Sequence, residues 1–164
     1  MKKVAVIQSR MTSTRLPGKA LADIAGKSLT QRIIERAGRC RRFDEIVLAI
    51  PDESVDDLLE RTFSAKCAVF RGSLHDVLDR FWGAAKTSGA DVVIRVTGAN
   101  PLVDPAVMDA AVERFLSLSI DYGSTSNCPL GVGAEVFTFE ALDRARREAA
   151  EAATKGATGS TTMP

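Results

Sequence analysis

Three cations without a neighbouring acid stand in one short segment near the start of the chain. The segment IQSRMTSTRLPGKAL covers residues 7–21 and contains Arg10, Arg15 and Lys19. Its hydroxyl side chains are Ser9, Thr12, Ser13 and Thr14. Guanidinium groups donate forked hydrogen bonds to phosphate oxygens, a lysine adds a point charge, and hydroxyl groups supply further donors. The segment therefore predicts a phosphate-binding loop; the alternative is a set of solvated surface charges.

Four short apolar runs, separated by helical patterns, indicate the fold that carries this loop. The runs are VAVIQ (4–8), EIVLAIP (45–51), CAVF (67–70) and DVVIRVTG (91–98). Strands that alternate with helices predict an α/β fold with a largely parallel sheet. In such sheets ligands bind at the carboxyl ends of the strands, and the cationic loop follows the first run at that end.

Polar residues mark the predicted helix starts. Thr30 stands before an apolar helical pattern and is the expected N-cap of the first helix. The acids of DESVDDLLERTFSA (52–65) are typical of a helix first turn, where they face the positive end of the helix dipole. Asp104 followed by Pro105 predicts an N-cap and a first-turn proline.

Composition narrows the class of protein. The 164 residues, 45% hydrophobic and 26% charged, are typical of one globular domain. We expect that domain at 1–153 and a disordered tail rich in Gly, Ser and Thr at 154–164. A net charge of +1 argues against a nucleic-acid-binding surface.

The cysteines and the apolar runs exclude further classes. Three widely spaced cysteines indicate neither a disulfide framework nor a zinc site. The apolar runs are far shorter than the ~20 residues that a membrane span needs. From these features we expect a cytoplasmic protein without nucleic-acid or membrane partners.

Four ordered segments resemble one enzyme family. They are QSRMTSTRLPGKAL (8–21), FRGSLHDVLDRF (70–81), DVVIRVTGANPLVDP (91–105) and PLGVGAEVFTFEAL (129–142). Together they resemble the cytidylyltransferases that activate acidic sugars, namely the CMP-sialic acid and CMP-KDO synthetases and their relatives in spore coat polysaccharide biosynthesis. The resemblance extends over roughly residues 2–150.

The resemblance implies a fold and a reaction. The fold is a Rossmann-like three-layer αβα sandwich with a mostly parallel sheet, of the nucleotide-diphospho-sugar transferase type and shortened at its C-terminus. The reaction transfers CMP from CTP to an acidic sugar, with release of pyrophosphate, for surface polysaccharide or glycan biosynthesis. The resemblance also implies a homodimer.

Site residues follow from their positions in the matching motifs. The cofactor-binding set is Ser9, Arg10, Ser13, Arg15, Lys19, Arg71, Arg80, Gly98 and Asn100, with Arg10 and Lys19 as the catalytic residues. Gly98 is expected to let the backbone approach the base or ribose. An alternative stays open for Arg80, which could be an exposed helix residue paired with Asp76 four positions earlier.

The chain departs from the family pattern at its metal site. Ala99 stands where the resembling enzymes have an aspartate that helps to bind Mg²⁺, and Asn100 offers only a neutral oxygen. Asp104 is expected to cap a helix instead. The resemblance implies Mg²⁺ as a cofactor, but the sequence predicts no metal ligand. A degenerate member that binds a nucleotide or a protein partner without turnover is therefore the alternative function.

Overall fold

A computed structural model describes residues 1–126 and 128–158, with side chains up to residue 154. Six strands form the main sheet: β1 (Lys3–Gln8), β4 (Glu45–Pro51), β5 (Ala68–Gly72), β6 (Val92–Thr97), β7 (Tyr122–Ser124) and β8 (Glu135–Thr138). A separate two-stranded hairpin joins β2 (Asp23–Ile24) to β3 (Lys27–Ser28). The helices are α1 (Leu29–Ala37), α2 (Asp57–Phe63), α3 (Val77–Thr87), α4 (Pro105–Leu118) and α5 (Phe139–Thr158).

The strand order of the main sheet is β5-β4-β1-β6-β8-β7. The first four of these strands are parallel, and β8 runs antiparallel to both of its neighbours. From β1 the chain builds outward through β4 and β5 and then returns to place β6 on the other side of β1. The strand order therefore reverses between β1 and β6, which makes the carboxyl ends of these two strands a topological switch point.

Helices cover both faces of the sheet, which confirms the predicted three-layer αβα architecture. One face packs against α1, α2 and α4, with Ile33, Phe63 and Met108 fully buried. The other face packs against α3 and α5 through Phe81 and Leu142. Strand β1 lies between the two layers with its central residues, 4–7, at 0% exposure, so its continuous apolar run reflects burial on both faces.

The helix starts match the prediction in part. Asp104 caps α4 by accepting hydrogen bonds from the N–H groups of Ala106 and Val107, at 2.9 and 3.1 Å. The predicted N-cap Thr30 is wrong, because Ser28 caps α1 and accepts the N–H of Gln31 at 3.3 Å. Thr30 lies inside the helix and is fully buried.

Helix α5 runs to Thr158, past the predicted domain boundary at residue 153. The alanine-rich run at 149–153, made of good helix formers, leads into residues 154–158, whose sequence TKGAT contains a glycine and two threonines that a composition-based boundary excludes from a helix. The remainder of the predicted tail, residues 159–164, lies outside the described residues. Within the described part of the chain, no helix combines the length and apolarity that crossing a membrane requires.

Candidate functional site

The cationic segment forms a loop that closes on the backbone of Met11. The carbonyl of Met11 accepts hydrogen bonds from the N–H groups of Ser13, at 3.0 Å, and Gly18, at 2.9 Å. Gly18 has a φ of 72°, a left-handed conformation that glycine adopts without strain. A short 3₁₀ turn then begins at Lys19. We call residues 9–19 the phosphate loop.

The phosphate loop and the segment after β6 enclose a cavity of about 210 Å³ at the switch point. Its lining residues are Gln8, Ser9, Arg10, Ser13, Thr14, Arg15, Lys19, Thr97, Gly98 and Ala99. We call it the loop cavity. It unites six of the nine sequence-predicted binding residues with Thr14, one of the hydroxyl residues noted in the loop, and adds Gln8 and Thr97, which the sequence analysis did not single out.

No described residue neutralises the three cations of the loop cavity. Among the described residues, the side chains of Arg10, Arg15 and Lys19 make no hydrogen bond and no ion pair, and the cavity lining contains no carboxylate. Unpaired positive charges that converge on one concave site favour an anionic ligand.

Gly98 brings the two walls of the cavity together. A Cβ atom at this position would lie 1.8 Å from the carbonyl oxygen of Gln8, so only glycine fits. The sequence analysis attributed this glycine to the approach of a nucleotide. The structure shows that the backbone it admits is the end of β1.

Ser9 is buried at 4% exposure, and its Oγ lies 3.1 Å from Oγ1 of Thr30 in α1. Either hydroxyl can be the donor of this hydrogen bond. The contact explains why Thr30 is buried within the helix instead of capping it. It also holds the start of the phosphate loop against α1.

Arg71 does not line the loop cavity. Its guanidinium forms ion pairs with Asp52, Asp57 and Glu60 at 2.8–2.9 Å and donates to the carbonyl of Glu53 at 3.1 Å. Hydrogen bonds with Glu60, Asp52 and Asp57 raise the pKa of Arg71. Because its donors are engaged by these groups, Arg71 acts in this structure as the centre of an ion-pair network.

Arg80 is fully buried, which overturns the alternative of an exposed helix residue. Its Nη1 donates to the carbonyl oxygen of Ser73, while Nε and Nη2 have no hydrogen-bond partner among the described residues. The expected partner Asp76 instead caps α3 by accepting the N–H of Asp79 at 2.8 Å. Burial lowers the pKa of Arg80, and the positive charge of Arg10 lowers it further.

Asp56 is a buried acid that the sequence analysis missed. It is 0% exposed, and its Oδ1 accepts the N–H of Met11 at 2.7 Å. Burial is the main cause that raises the pKa of this carboxyl. Its position among the acids of 52–57 predicted a helix first turn, but a 3₁₀ turn over Ser54–Asp56 precedes α2. No local signal separates Asp56 from those exposed acids.

Asn100 lines a neighbouring cavity of about 340 Å³. We call this the acceptor cavity; its walls come from β6, β7, β8 and the turn at 128–133, and Thr97 lines both cavities. Arg95 also lines it, with Nη1 at 2.8 Å from both carboxylate oxygens of Glu135. A larger cavity, about 500 Å³ between α3, α5 and β8, is mainly apolar; it shares Arg95 and Glu135 with the acceptor cavity and has no lining residue from the phosphate loop.

The donors of the loop cavity do not fit a protein-held Mg²⁺. Ala99 contributes a methyl group where the resembling enzymes have an aspartate. The side-chain oxygens of the lining belong to hydroxyl and amide groups only. Within residues 1–126 and 128–154, no three side chains of His, Cys, Asp or Glu form a metal-binding group. We therefore derive no chemical step through a metal.

The chain matches one protein-family model and is similar to several known proteins. The chain matches the family model described as cytidylyltransferase over residues 4–158. It is similar to an uncharacterized protein of Methanocaldococcus jannaschii, 40% identical over 152 residues that cover 92% of this chain and 63% of that protein. It is also similar to the spore coat polysaccharide biosynthesis protein SpsF of Bacillus subtilis, 37% identical over 89% of this chain and 63% of that protein.

Two further matches carry enzyme names. A 3-deoxy-manno-octulosonate cytidylyltransferase of Geobacter sulfurreducens is 38% identical over 68% of this chain and 44% of that protein. The solved structure of a cytidylyltransferase from Leptospira borgpetersenii matches with a TM-score of 0.83 and 32% identity, over 88% of this chain and 63% of that one. The chain thus spans less than two thirds of the length of these relatives. With the family model matched over nearly its whole length, the chain belongs to the cytidylyltransferase family.

Proposed function

We propose that the chain binds the triphosphate of CTP in the loop cavity and transfers CMP to a hydroxyl group of an acidic sugar, with release of pyrophosphate. The observation that carries this proposal is the convergence of three unpaired cations, Arg10, Arg15 and Lys19, on one cavity at the switch point of the sheet. The SpsF and 3-deoxy-manno-octulosonate cytidylyltransferase relatives support a role in surface polysaccharide biosynthesis.

The residues of the loop cavity suit a reaction that depends on positioning and charge neutralisation. The acceptor hydroxyl oxygen attacks the α-phosphorus and gives up its proton to solvent, the bond from that phosphorus to the α,β-bridging oxygen breaks, and pyrophosphate leaves with the bonding electrons. Arg10 and Lys19 offset the negative charge that accumulates on the leaving pyrophosphate. Arg15 and the Ser13 hydroxyl orient the chain of phosphates so that the α-phosphorus faces the acceptor.

The acceptor cavity is the proposed site of the sugar because it adjoins the loop cavity at Thr97. Arg95 is the cation in its lining, and only its Nη1 bonds to Glu135. Among the described residues, the Nε and Nη2 donors of Arg95 have no hydrogen-bond partner. A guanidinium with free donors is suited to the carboxylate of an acidic sugar.

The absence of a carboxylate from the loop cavity favours a second function, nucleotide binding without turnover. A metal that neutralises phosphate charge contributes several kcal/mol to transition-state stabilisation, and Ala99 removes one ligand for it. In this alternative the phosphate loop retains the triphosphate and the chain acts as a binding protein.

A pyrophosphate-release assay separates the two functions. The chain is incubated with CTP and Mg²⁺, and with either 3-deoxy-manno-octulosonate or N-acetylneuraminate as the acceptor. Release that depends on one acceptor supports the enzyme, with the Arg10→Ala variant as the inactive control. CTP binding without pyrophosphate release supports the binding protein, and absence of both contradicts the proposed function.

A further inference from the structure

A buried acid and a buried base lie beneath the phosphate loop without complete hydrogen bonding. Asp56 and Arg80 are both 0% exposed. Oδ2 of Asp56 and the Nε and Nη2 atoms of Arg80 have no partner among the described residues. Buried charges without partners are costly, so a fold that retains two of them in one place invites a functional explanation.

The contacts of Asp56 lead directly to the phosphate loop. Its Oδ1 accepts the N–H of Met11 at 2.7 Å, and the carbonyl of the same Met11 accepts the N–H groups of Ser13 and Gly18. Met11 is therefore the residue on which the loop closes, and its peptide N–H is fixed by the hydrogen bond to Asp56. The carboxylate thus fixes the position from which Arg10 and Ser13 face the cavity.

Arg80 connects the same region to the neighbouring strand. Its Nη1 donates to the carbonyl of Ser73, directly after β5, and its side chain packs against Gly72, where an added Cβ would lie 3.1 Å from Cγ. Asp56 follows β4 and Met11 follows β1. Asp56 thus joins the ends of β4 and β1, and Arg80 joins α3 to the end of β5.

The charges around this pair are of both signs. Asp56 and Arg80 lie close enough for each charge to shift the pKa of the other. Arg10 faces Arg80 from the phosphate loop, while Arg71 and Glu53 act on Asp56 from β5 and the segment after β4. Asp76 also raises the pKa of Arg80, but its carboxylate caps α3, so Asp56 is the buried acid of this region.

We propose that Asp56 is a positioning residue for triphosphate binding: its buried carboxylate fixes the Met11 peptide, and through it the phosphate loop. The proposal rests on the proposed function, since it assigns to Asp56 the geometry of the triphosphate site. Asp56 touches no ligand in this role and acts through Met11.

The sign of one mutational effect tests this role. Removal of a negative charge near an anion site strengthens anion binding if only electrostatics acts. Loss of a positioning contact weakens it. We expect Asp56→Ala to bind inorganic tripolyphosphate and CTP about tenfold more weakly than the wild-type chain, measured by calorimetry on folded protein. Asp56→Asn retains an acceptor for the N–H of Met11 and should recover part of the affinity.

Asp44→Ala is the matched control. Asp44 also accepts a backbone N–H, from Lys3 at 2.8 Å, but this contact lies at the start of β1, at the amino edge of the sheet, and Asp44 is exposed. This variant should bind tripolyphosphate like the wild-type chain. Amide hydrogen exchange gives a second readout: Ser13 and Gly18 should exchange faster in Asp56→Ala, and in Asp56→Asn to a lesser extent, but not in Asp44→Ala.

The outcomes separate the two proposals. If the wild-type chain binds and Asp56→Ala binds equally well or more tightly, the positioning role is wrong while the proposed function stands. If the wild-type chain binds neither tripolyphosphate nor CTP, the proposed function is wrong, and unchanged exchange at Ser13 and Gly18 in the variant would overturn the contact with Met11 as well. Should Asp56→Ala fail to fold, the affinity of Asp56→Asn decides, with about threefold weaker binding expected.

Discussion

The substitution Gly98→Ala tests whether the two walls of the loop cavity meet as described. The added Cβ would lie 1.8 Å from the carbonyl oxygen of Gln8, 2.8 Å from its carbonyl carbon and 3.2 Å from Cα of Ser9. All three atoms belong to the backbone, so no side chain can rotate away. The contact must lengthen to at least 3.0 Å, the limit for real Cβ contacts, and this separates the ends of β1 and β6.

The expected cost follows from this displacement. Overpacking of a well-packed region costs about 1–3 kcal/mol, and a clash with backbone lies at the upper end of that range. For a chain of this size each kcal/mol lowers Tm by about 2–4 °C, so we expect Tm to fall by roughly 5–10 °C. Because Gln8 and Thr97 are paired across these strands and line the cavity, CTP affinity should fall by at least about tenfold.

Thermal unfolding and calorimetric CTP titration measure the two effects of Gly98→Ala. Gly123→Ala is the control, because its Cβ would meet Ile120 and Phe115 at 3.5 and 3.6 Å, which is ordinary van der Waals contact. The control should change the free energy of unfolding by no more than about 0.5 kcal/mol. A Gly98→Ala chain with wild-type Tm and CTP affinity would refute the described approach of β1 and β6.

Three further predictions concern the loop, the metal position and the buried thiols. Arg15→Ala should weaken CTP binding by about 1.5–3 kcal/mol in calorimetry, since it removes a charge-assisted contact. Ala99→Asp should make CTP binding stronger with Mg²⁺ than without it, by about tenfold, because it adds a carboxylate to the cavity. Burial raises the pKa of Cys40 to about 12 and of Cys67 to about 11, so the free energy of unfolding should fall as pH rises above 9.

The sign of the thiol effect follows from proton binding. The ordinary pKa of a cysteine thiol is 9.0. Above this pH the unfolded chain loses the thiol protons, while the folded chain retains them up to about pH 11–12. The unfolded state then binds fewer protons, so stability falls with rising pH. Urea unfolding at pH 8 and 10 measures this fall, and Cys67→Ala should reduce it. Equal stability of the wild-type chain at both pH values would contradict the raised pKa of these half-buried thiols.

The predictions for Arg15→Ala and Ala99→Asp can each be contradicted by a specific result. Arg39→Ala removes an exposed arginine outside the loop cavity and should leave CTP affinity unchanged. Equal losses in Arg15→Ala and Arg39→Ala would assign the effect to net charge instead of the loop. A magnesium-independent Ala99→Asp chain would mean that position 99 does not face a phosphate-bound metal.

The sequence predicted the features that depend on local patterns. The continuous apolar runs located β1, β4 and β6, and Glu45–Pro51 was predicted with the same bounds that the structure shows. The loop was identified by its three cations, Arg10, Arg15 and Lys19, and by its place directly after the first apolar run. Both features can be read from consecutive residues of the sequence. Asp104 and Pro105 marked a helix start for the same reason.

Features that depend on distant contacts could not be predicted in this way. The ion pairs of Arg71 join residues that lie 11 to 19 positions apart, which no helical or strand period brings together. Arg80 is a charged residue in a helical pattern, where most charged side chains are exposed. Its side chain is nevertheless fully buried, next to Gly72 of β5. Asp56 looks like any acid at a helix start, and only the tertiary fold places it 2.7 Å from the N–H of Met11.

Calorimetric titration with CTP, with and without Mg²⁺ and with ATP as the comparison nucleotide, tests the central claim most directly. We expect CTP to bind more tightly than ATP and inorganic tripolyphosphate to compete for the same site. The Arg10→Ala chain should lose most of this affinity, because Arg10 is one of the three unpaired cations of the loop cavity. CTP binding that persists unchanged in Arg10→Ala, or no binding by the wild-type chain, would contradict the assignment of the phosphate loop as the nucleotide site.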